Sequence, residues 1–154
     1  MKLCIFGSRT LTGNMELKFI EEKIREFNQK NKIDYILIPG SIDGACRLAF
    51  RVAEKLCIPI TLYFYNKGDT DSRWRMIDSI RNRTRQIIKE ADFFLIFHDG
   101  ESKGTLWDLK AIKKAKKGFD YFKVDKPKKE DAIYFEGVNL NTFDFDLPYL
   151  GGEK

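Results

Sequence analysis

Five short apolar segments alternate along the chain with longer segments in which apolar residues recur at helical spacing. The apolar segments are KLCIF, DYILI, ITLYFY, FFLIF and FDYFKV, at residues 2–6, 34–38, 60–65, 93–97 and 119–124. The helical segments occupy residues 15–29, 44–56, 73–90 and 104–117. Strands that are apolar on both faces, separated by helices, are typical of a parallel sheet covered on both sides. The pattern therefore predicts a doubly wound α/β fold of about five strands.

Residues 1–125 hold all of these segments, and we predict that they form one Rossmann-like domain. Five strand–helix units of this kind usually take the strand order 3-2-1-4-5. Residues 126–154 differ in composition, because a charged segment, KPKKED, precedes an aromatic, turn-rich segment. We expect this C-terminal extension to pack on the domain or on a partner subunit. Its apolar residues Phe143, Phe145 and Tyr149 are compatible with a homodimer or a higher homo-oligomer.

The composition of the chain fits one folded domain, with 154 residues of which 43% are hydrophobic and 33% are charged. Its apolar runs are far shorter than the ~20 residues of a membrane-spanning helix, and no secretion signal precedes Gly7. We therefore expect a cytoplasmic protein with no membrane partner. The formal net charge of +5 favours anionic partners, either nucleic acid or small phosphates.

The sequence offers few residues that could hold a metal or a cofactor. Its three cysteines have no CxxC spacing, and its one histidine adds too little for a zinc site. The loop after the first strand has no GxGxxG motif, and SKGT lacks the spacing of a Walker A loop. We expect neither a metal nor a cofactor. Cys46 lies at the start of a predicted helix, where the pKa of a thiol can be lowered.

Three loops rich in glycine and hydroxyl residues follow the first, second and fourth predicted strands. Their strand ends meet near the point where the strand order reverses, and each following helix directs its positive end to the same place. We therefore predict an anion-binding site; the alternative is that these residues only form turns and helix N-caps. The candidate ligand-binding residues in the loops are Gly7, Ser8, Arg9, Thr10, Gly40, Ser41, Gly44, Ser102, Lys103, Gly104 and Thr105.

The segment SIRNRTRQ adds three arginines at alternate positions. If a helix begins at residues 80–82, Asn82 caps it and Arg81 turns into the site. On a continuous helix, Arg81 and Arg85 instead share one face. We include Arg81 and Asn82 among the candidate ligand-binding residues.

These motifs, in this order, resemble those of the SLOG superfamily, and in particular its YspA-type (YpsA-related) Rossmann-like domains from bacteria and phages. The resemblance covers about residues 1–125 and rests on GSRT, PGSIDGACRLAFRVAEKLCIPI and IRNRTRQIIKEADFFLIFHDGESKGT. It implies binding of a nucleotide or a nucleotide-derived molecule. The family's motif positions fall on Gly7, Ser8, Arg9, Gly40, Gly44, Arg47, Ala49, Arg81, Asn82, Ser102, Gly104 and Thr105. Ser41 and Ile42 depart from the usual second motif, and Cys46 replaces its acidic residue.

A more distant resemblance links the chain to the LOG phosphoribohydrolases, which cleave the N-glycosidic bond of nucleoside monophosphates. Arg83 lies where their catalytic arginine is expected, and GTLWD matches their GTxxE motif with Asp108 in place of the catalytic glutamate. The resemblance thus implies Arg83 and Asp108 as candidate catalytic residues. The alternative is that Asp108 is a first-turn acid that stabilises a helix N-terminus. Trp74 and Trp107, near predicted helix starts, either stack on a base or pack within the fold.

Three functions remain open at this point, and the first is favoured. The chain binds a nucleotide-type small molecule through phosphate loops, as a sensor or sequestering module. Alternatively, it hydrolyses the N-glycosidic bond of a nucleoside phosphate. A third hypothesis is nucleic-acid binding, as in the related DprA proteins, which the sequence pI of about 9.0 also favours.

Overall fold

The computed structural model describes residues 1–39, 44–64 and 72–126. Its strands are β1 (Lys2–Gly7), β2 (Tyr35–Pro39), β3 (Ile60–Tyr63), β4 (Phe93–His98) and β5 (Gly118–Lys123). Its helices are α1 (Asn14–Lys30), α2 (Ala45–Lys55), α3 (Arg73–Glu90) and α4 (Lys103–Lys114). The predicted bounds agree within two residues, except that α4 ends three residues early, where Lys116 takes a left-handed φ of 58°. The predicted C-terminal extension lies outside the described residues from residue 127 onward.

The sheet is parallel throughout and has the predicted order β3-β2-β1-β4-β5. The chain moves outward from β1 to β3 and then returns to place β4 on the other side of β1. The carboxyl ends of β1 and β4 therefore lie side by side, with Gly7 opposite Phe97. In sheets of this kind, ligands bind beyond the strand ends at such a switch point.

Helices cover both faces of the sheet, which explains why its strands are apolar on both sides. Leu3 and Ile5 of β1 pack into the cluster that contains α1 and α2. Cys4 and Phe6, which alternate with them, pack into the cluster that contains α3 and α4. None of the four described helices combines the length and the apolar composition needed to cross a membrane.

The amino end of α2 packs directly against the loop that follows β1. A Cβ at Gly7 would lie 2.3 Å from Cβ of Ala45, the first residue of α2. Gly44, at φ 58°, is equally close, because a Cβ there would lie 2.4 Å from Cα of Arg9. The N–H of Ala45 donates a hydrogen bond of 3.1 Å to the carbonyl of Ser8. Both glycines are therefore required by the packing of the protein itself.

Candidate functional site

A cleft of about 890 Å³ opens at the carboxyl ends of β1 and β4, between α3 and α4. This volume lies within the ~300–1,000 Å³ typical of small-molecule sites. We call it the α3–α4 cleft. Its described lining residues are Gly7, Arg9, Thr10, Cys46, Ile77, Ile80, Arg81, Arg83, Thr84, Asp99, Glu101, Ser102, Lys103, Gly104, Thr105, Leu106, Trp107, Asp108 and Lys110.

A hydrogen-bond network fixes the β4–α4 loop beside the β1–α1 loop. Oδ1 of Asp99 accepts bonds of 2.8 Å from the N–H groups of Glu101 and Ser102, and its Oδ2 accepts one of 2.6 Å from the Thr10 hydroxyl. Burial raises the pKa of Asp99, but these three donors outweigh it and hold that pKa well below its usual range. The Asp99 carboxylate is thus satisfied by donors of the two loops, and it fixes the conformation of the residues that lead into α4.

Ser8, a predicted ligand-binding residue, lies within this network rather than on the cleft surface. Its side chain is buried, its Oγ accepts a 3.1 Å hydrogen bond from the N–H of Asp99, and it lies 3.3 Å from Oγ1 of Thr105. Its N–H donates to the carbonyl of Phe97 over 2.9 Å. Ser8 therefore joins the two loops, whereas its neighbours Arg9 and Thr10 line the cleft.

The amino end of α4 opens into the cleft. Ser102 is its N-cap, and the Ser102 Oγ accepts a bond of 3.4 Å from the N–H of Thr105. The N–H groups of Lys103 and Gly104 have no acceptor among the described residues. A Cβ at Gly104 would meet no atom within 4 Å. The first turn of α4 therefore presents backbone donors, at the positive end of the helix, to open space.

The His98 side chain contacts the N-cap residue of α4. The imidazole is 2% exposed, its Nδ1 lies 2.7 Å from the Tyr121 hydroxyl, and its Nε2 lies 3.0 Å from the carbonyl of Ser102. A carbonyl can only accept, so Nε2 carries the proton and Nδ1 accepts from the tyrosine hydroxyl. The only histidine of the chain is thus used to hold the N-cap residue of α4 in place.

Arg83 and Asp108, the two candidate catalytic residues, both line the cleft. Arg83 is buried, and Asp108 is half-buried. Burial raises the pKa of Asp108 to about 7, and the positive charge of Arg83 opposes that rise. Asp108 lies in the second turn of α4, so the alternative that made it a first-turn acid is wrong. Near neutral pH, this carboxyl can both donate and accept a proton.

The Cys46 thiol also lines the cleft, and the lowered pKa that a helix start can give a thiol is not found there. Burial raises the pKa of Cys46 to about 12, and the nearby charge of Arg83 only partly opposes this. The thiol faces the carbonyl of Ile5 at 3.8 Å. The effect of the apolar surroundings on the thiol pKa outweighs that of the helix N-terminus. Cys46 is therefore a buried packing residue in its protonated form.

Helix α3 is continuous through residues 80–82, so Asn82 does not cap a helix there. The side-chain carbonyl of Asn82 instead accepts a hydrogen bond of 2.8 Å from Arg85, on the exposed surface. Arg81 does line the cleft, and its guanidinium lies 5.2 Å from the ring centroid of Trp107. Trp74 is 75% exposed and is not among the lining residues.

The structure thus brings most of the predicted site residues to one place. Those that line the cleft are Gly7, Arg9, Thr10, Arg81, Arg83, Ser102, Lys103, Gly104, Thr105 and Asp108. Those that do not are Ser8, Gly44 and Asn82. Gly40 and Ser41 lie outside the described residues.

Sequence reasoning missed much of the α3 wall, where Ile77, Ile80 and Thr84 line the cleft with Arg81. Their spacing of three and four residues marks one helical face, which was available as a signal. It also missed Glu101, Leu106 and Lys110, for which nothing in the sequence distinguishes a lining residue from a surface one. Within the described ranges, no group of three or more His, Cys, Asp or Glu side chains could hold a metal ion.

The chain was also compared with known proteins. No protein-family model, no curated protein and no solved structure matches it.

Proposed function

We propose that the chain binds a nucleotide or a nucleotide-derived small molecule, with a phosphate group at the amino end of α4. The observation that carries the proposal is Gly104. Neither its backbone conformation nor its packing requires a glycine, because its φ is not positive and a Cβ there would meet nothing. A ligand that approaches the backbone closely supplies the missing reason, and phosphate at a helix N-terminus is a common case.

The charges of the cleft support an anionic ligand. Five basic residues line it against three acidic ones: Arg9, Arg81, Arg83, Lys103 and Lys110 against Asp99, Glu101 and Asp108. The Asp99 carboxylate, which also lines it, is satisfied by three donors of the loops, as described above. Arginine and backbone N–H groups form charge-assisted hydrogen bonds to phosphate oxygens. The role that fits such a cleft is that of a sensor or sequestering module for one small molecule.

Binding is tested by titrating the full chain with nucleoside mono- and diphosphates, cyclic nucleotides and ADP-ribose in phosphate-free buffer, read by calorimetry. We expect at least one to bind, and Arg9→Gln to weaken binding roughly tenfold through loss of a charged contact. Arg73→Gln, on the exposed surface of α3 outside the cleft lining, is the matched control and keeps wild-type affinity. Absence of binding by every ligand contradicts the proposal. Steep salt dependence with oligonucleotides would favour nucleic acid instead.

The second candidate function, hydrolysis of a nucleoside-phosphate N-glycosidic bond, is favoured by one observation. Asp108, with a pKa of about 7, lies in the same cleft as Arg83. In such a reaction water adds to C1′ of the ribose, the N-glycosidic bond breaks, and its electron pair leaves with the base, which takes up a proton. Asp108 would accept the proton of the attacking water and release it to solvent, from which the base takes up its proton. Chromatography of each binding mixture distinguishes the two functions, because hydrolysis releases free base and Asp108→Asn abolishes that release.

A further inference from the structure

The two sides of the α3–α4 cleft differ in chemistry. The loops and the first turn of α4 provide hydroxyl groups, backbone donors and the cations Arg9 and Lys103. Further along the cleft, α3 and α4 provide apolar side chains, namely Ile77, Ile80, Leu106 and Trp107. None of these four is fully buried, and Leu106 is 39% exposed. The cleft is therefore polar on the side of the loops and apolar and aromatic on the side of the two helices.

Trp107 is held by two arginines of α3. The guanidinium carbon of Arg81 lies 5.2 Å from the Trp107 ring centroid, and that of Arg85 lies 5.8 Å away. Arg81 and Arg85 are four residues apart and share one face of α3. Cation–π attraction of this kind favours the placement of both guanidinium groups beside the indole ring. Of the two arginines, Arg81 lines the cleft with Trp107, and Arg85 does not.

We infer that Trp107 and Arg81 form a stacking platform for the aromatic base of the ligand whose phosphate is bound at the start of α4. The inference rests on the proposed function and adds the residues that recognise the base. Indole rings and guanidinium planes are the surfaces on which bases stack in proteins. Trp107 is four residues after Lys103 on α4, so one helical turn, about 6 Å, separates the two positions along the helix. A nucleoside phosphate spans such a distance between its phosphate and its base.

The platform is tested by intrinsic fluorescence, because Trp74 and Trp107 are the only tryptophans of the chain. Trp74→Phe leaves Trp107 as the single reporter. The ligands are AMP and ribose 5-phosphate, which share a phosphate and a ribose and differ in the base. We expect AMP to quench Trp107 and to bind about tenfold more tightly than ribose 5-phosphate, which is the order of one base-stacking contact. Ribose 5-phosphate binds without quenching, so its affinity, like that of the Trp107 variants, is measured by calorimetry.

Variants of Trp107 separate stacking from a general loss of structure. Trp107→Leu lowers AMP affinity by about tenfold and leaves ribose 5-phosphate affinity unchanged, because the phosphate end is intact. Trp107→Phe, which keeps an aromatic ring, retains most of the AMP affinity, and Trp74→Leu retains all of it. Equal affinities for AMP and ribose 5-phosphate overturn the stacking platform but leave the phosphate site standing. If neither ligand binds, the platform and the phosphate site both fail for this class of nucleotide.

Discussion

The Thr10 hydroxyl donates a hydrogen bond of 2.6 Å to Oδ2 of Asp99, and these two residues join the loops that follow β1 and β4. The loops come from strands that are adjacent in the sheet but 89 residues apart in the chain. Two backbone N–H groups of the β4–α4 loop converge on the other oxygen of the same carboxylate. The geometry of the β4–α4 loop therefore depends on one ionised side chain.

Asp99→Asn tests this dependence, because an amide nitrogen cannot accept the bond from Thr10. At pH 7 we expect the free energy of unfolding to fall by about 2 kcal/mol, as for other charged hydrogen bonds. The Asp99 pKa is lowered in the folded state, so its contribution is present above the unfolded pKa of ~3.9 and decreases as the pH falls toward the lower folded value. Urea unfolding at pH 7 and pH 3 measures the difference. Asp120→Asn, at an exposed position of β5, is the control, and an equal loss at both pH values contradicts the prediction.

Gly44 and Gly104 respond in opposite ways to alanine. Gly44→Ala forces a Cβ to 2.4 Å from Cα of Arg9 at a φ of 58°, so we expect a loss of more than about 2 kcal/mol in stability. Gly104→Ala places a methyl group in open space on a helix, where alanine is favoured by up to about 1 kcal/mol. Thermal unfolding compares both variants with wild type. If the phosphate group binds at α4, the Gly104→Ala protein keeps its stability and loses affinity for the ligand; unchanged affinity contradicts close approach of the ligand.

The fold could be predicted because its signal is repeated. The strands β1, β2 and β4 are apolar on both faces, and each helix has its own apolar periodicity. A doubly wound parallel sheet accommodates all of these patterns. The meeting of the loops after β1 and β4 follows from the strand order alone. That is why Arg9 could be assigned to the same site as Ser102 and Gly104, although it is distant from them in the sequence.

Side-chain roles were harder to predict, because packing decides them. Ile77 and Ile80 follow the same periodicity as the buried Ile87 and Ile88, but α3 leaves the core toward its amino end and exposes them to the cleft. Ser8 carries a hydroxyl of the kind that binds ligands, but its Oγ accepts a hydrogen bond from the N–H of Asp99 instead. Cys46 occupies a helix start, yet its apolar surroundings dominate its pKa. The sequence shows that Ile77 and Ile80 share a helical face, but no local pattern in it distinguishes exposure to a cleft from burial, or ligand contact from a structural role.

The three cysteines differ in burial, and their rates of alkylation measure that difference. Burial raises the pKa values of Cys4 and Cys46, so their reactive thiolate is scarce, whereas the Cys57 side chain is exposed. With iodoacetamide at pH 8 and intact-mass detection, we expect one modification, at Cys57. Addition of denaturant makes all three react. Modification of Cys46 in the native protein at the rate of Cys57 would refute its assignment as a packing residue.

Asp108 makes the folded protein less stable as the pH rises through the acidic range. Its pKa is raised to about 7 in the folded state, against ~3.9 for an unfolded aspartate, so the folded protein holds more protons between these values. The free energy of unfolding therefore decreases between about pH 4 and pH 7, by roughly 2–4 kcal/mol for a pKa difference of this size.

Asp108→Asn removes this titration while keeping the size of the side chain. We expect similar stabilities for the variant and wild type at pH 4.5, and a more stable variant at pH 8, measured by urea unfolding in phosphate-free buffer. Parallel pH profiles would show that Asp108 ionises as an ordinary surface carboxyl. If the difference is found, the carboxyl is held in the cleft at a cost to stability, as expected of a group that acts on a ligand rather than on the fold.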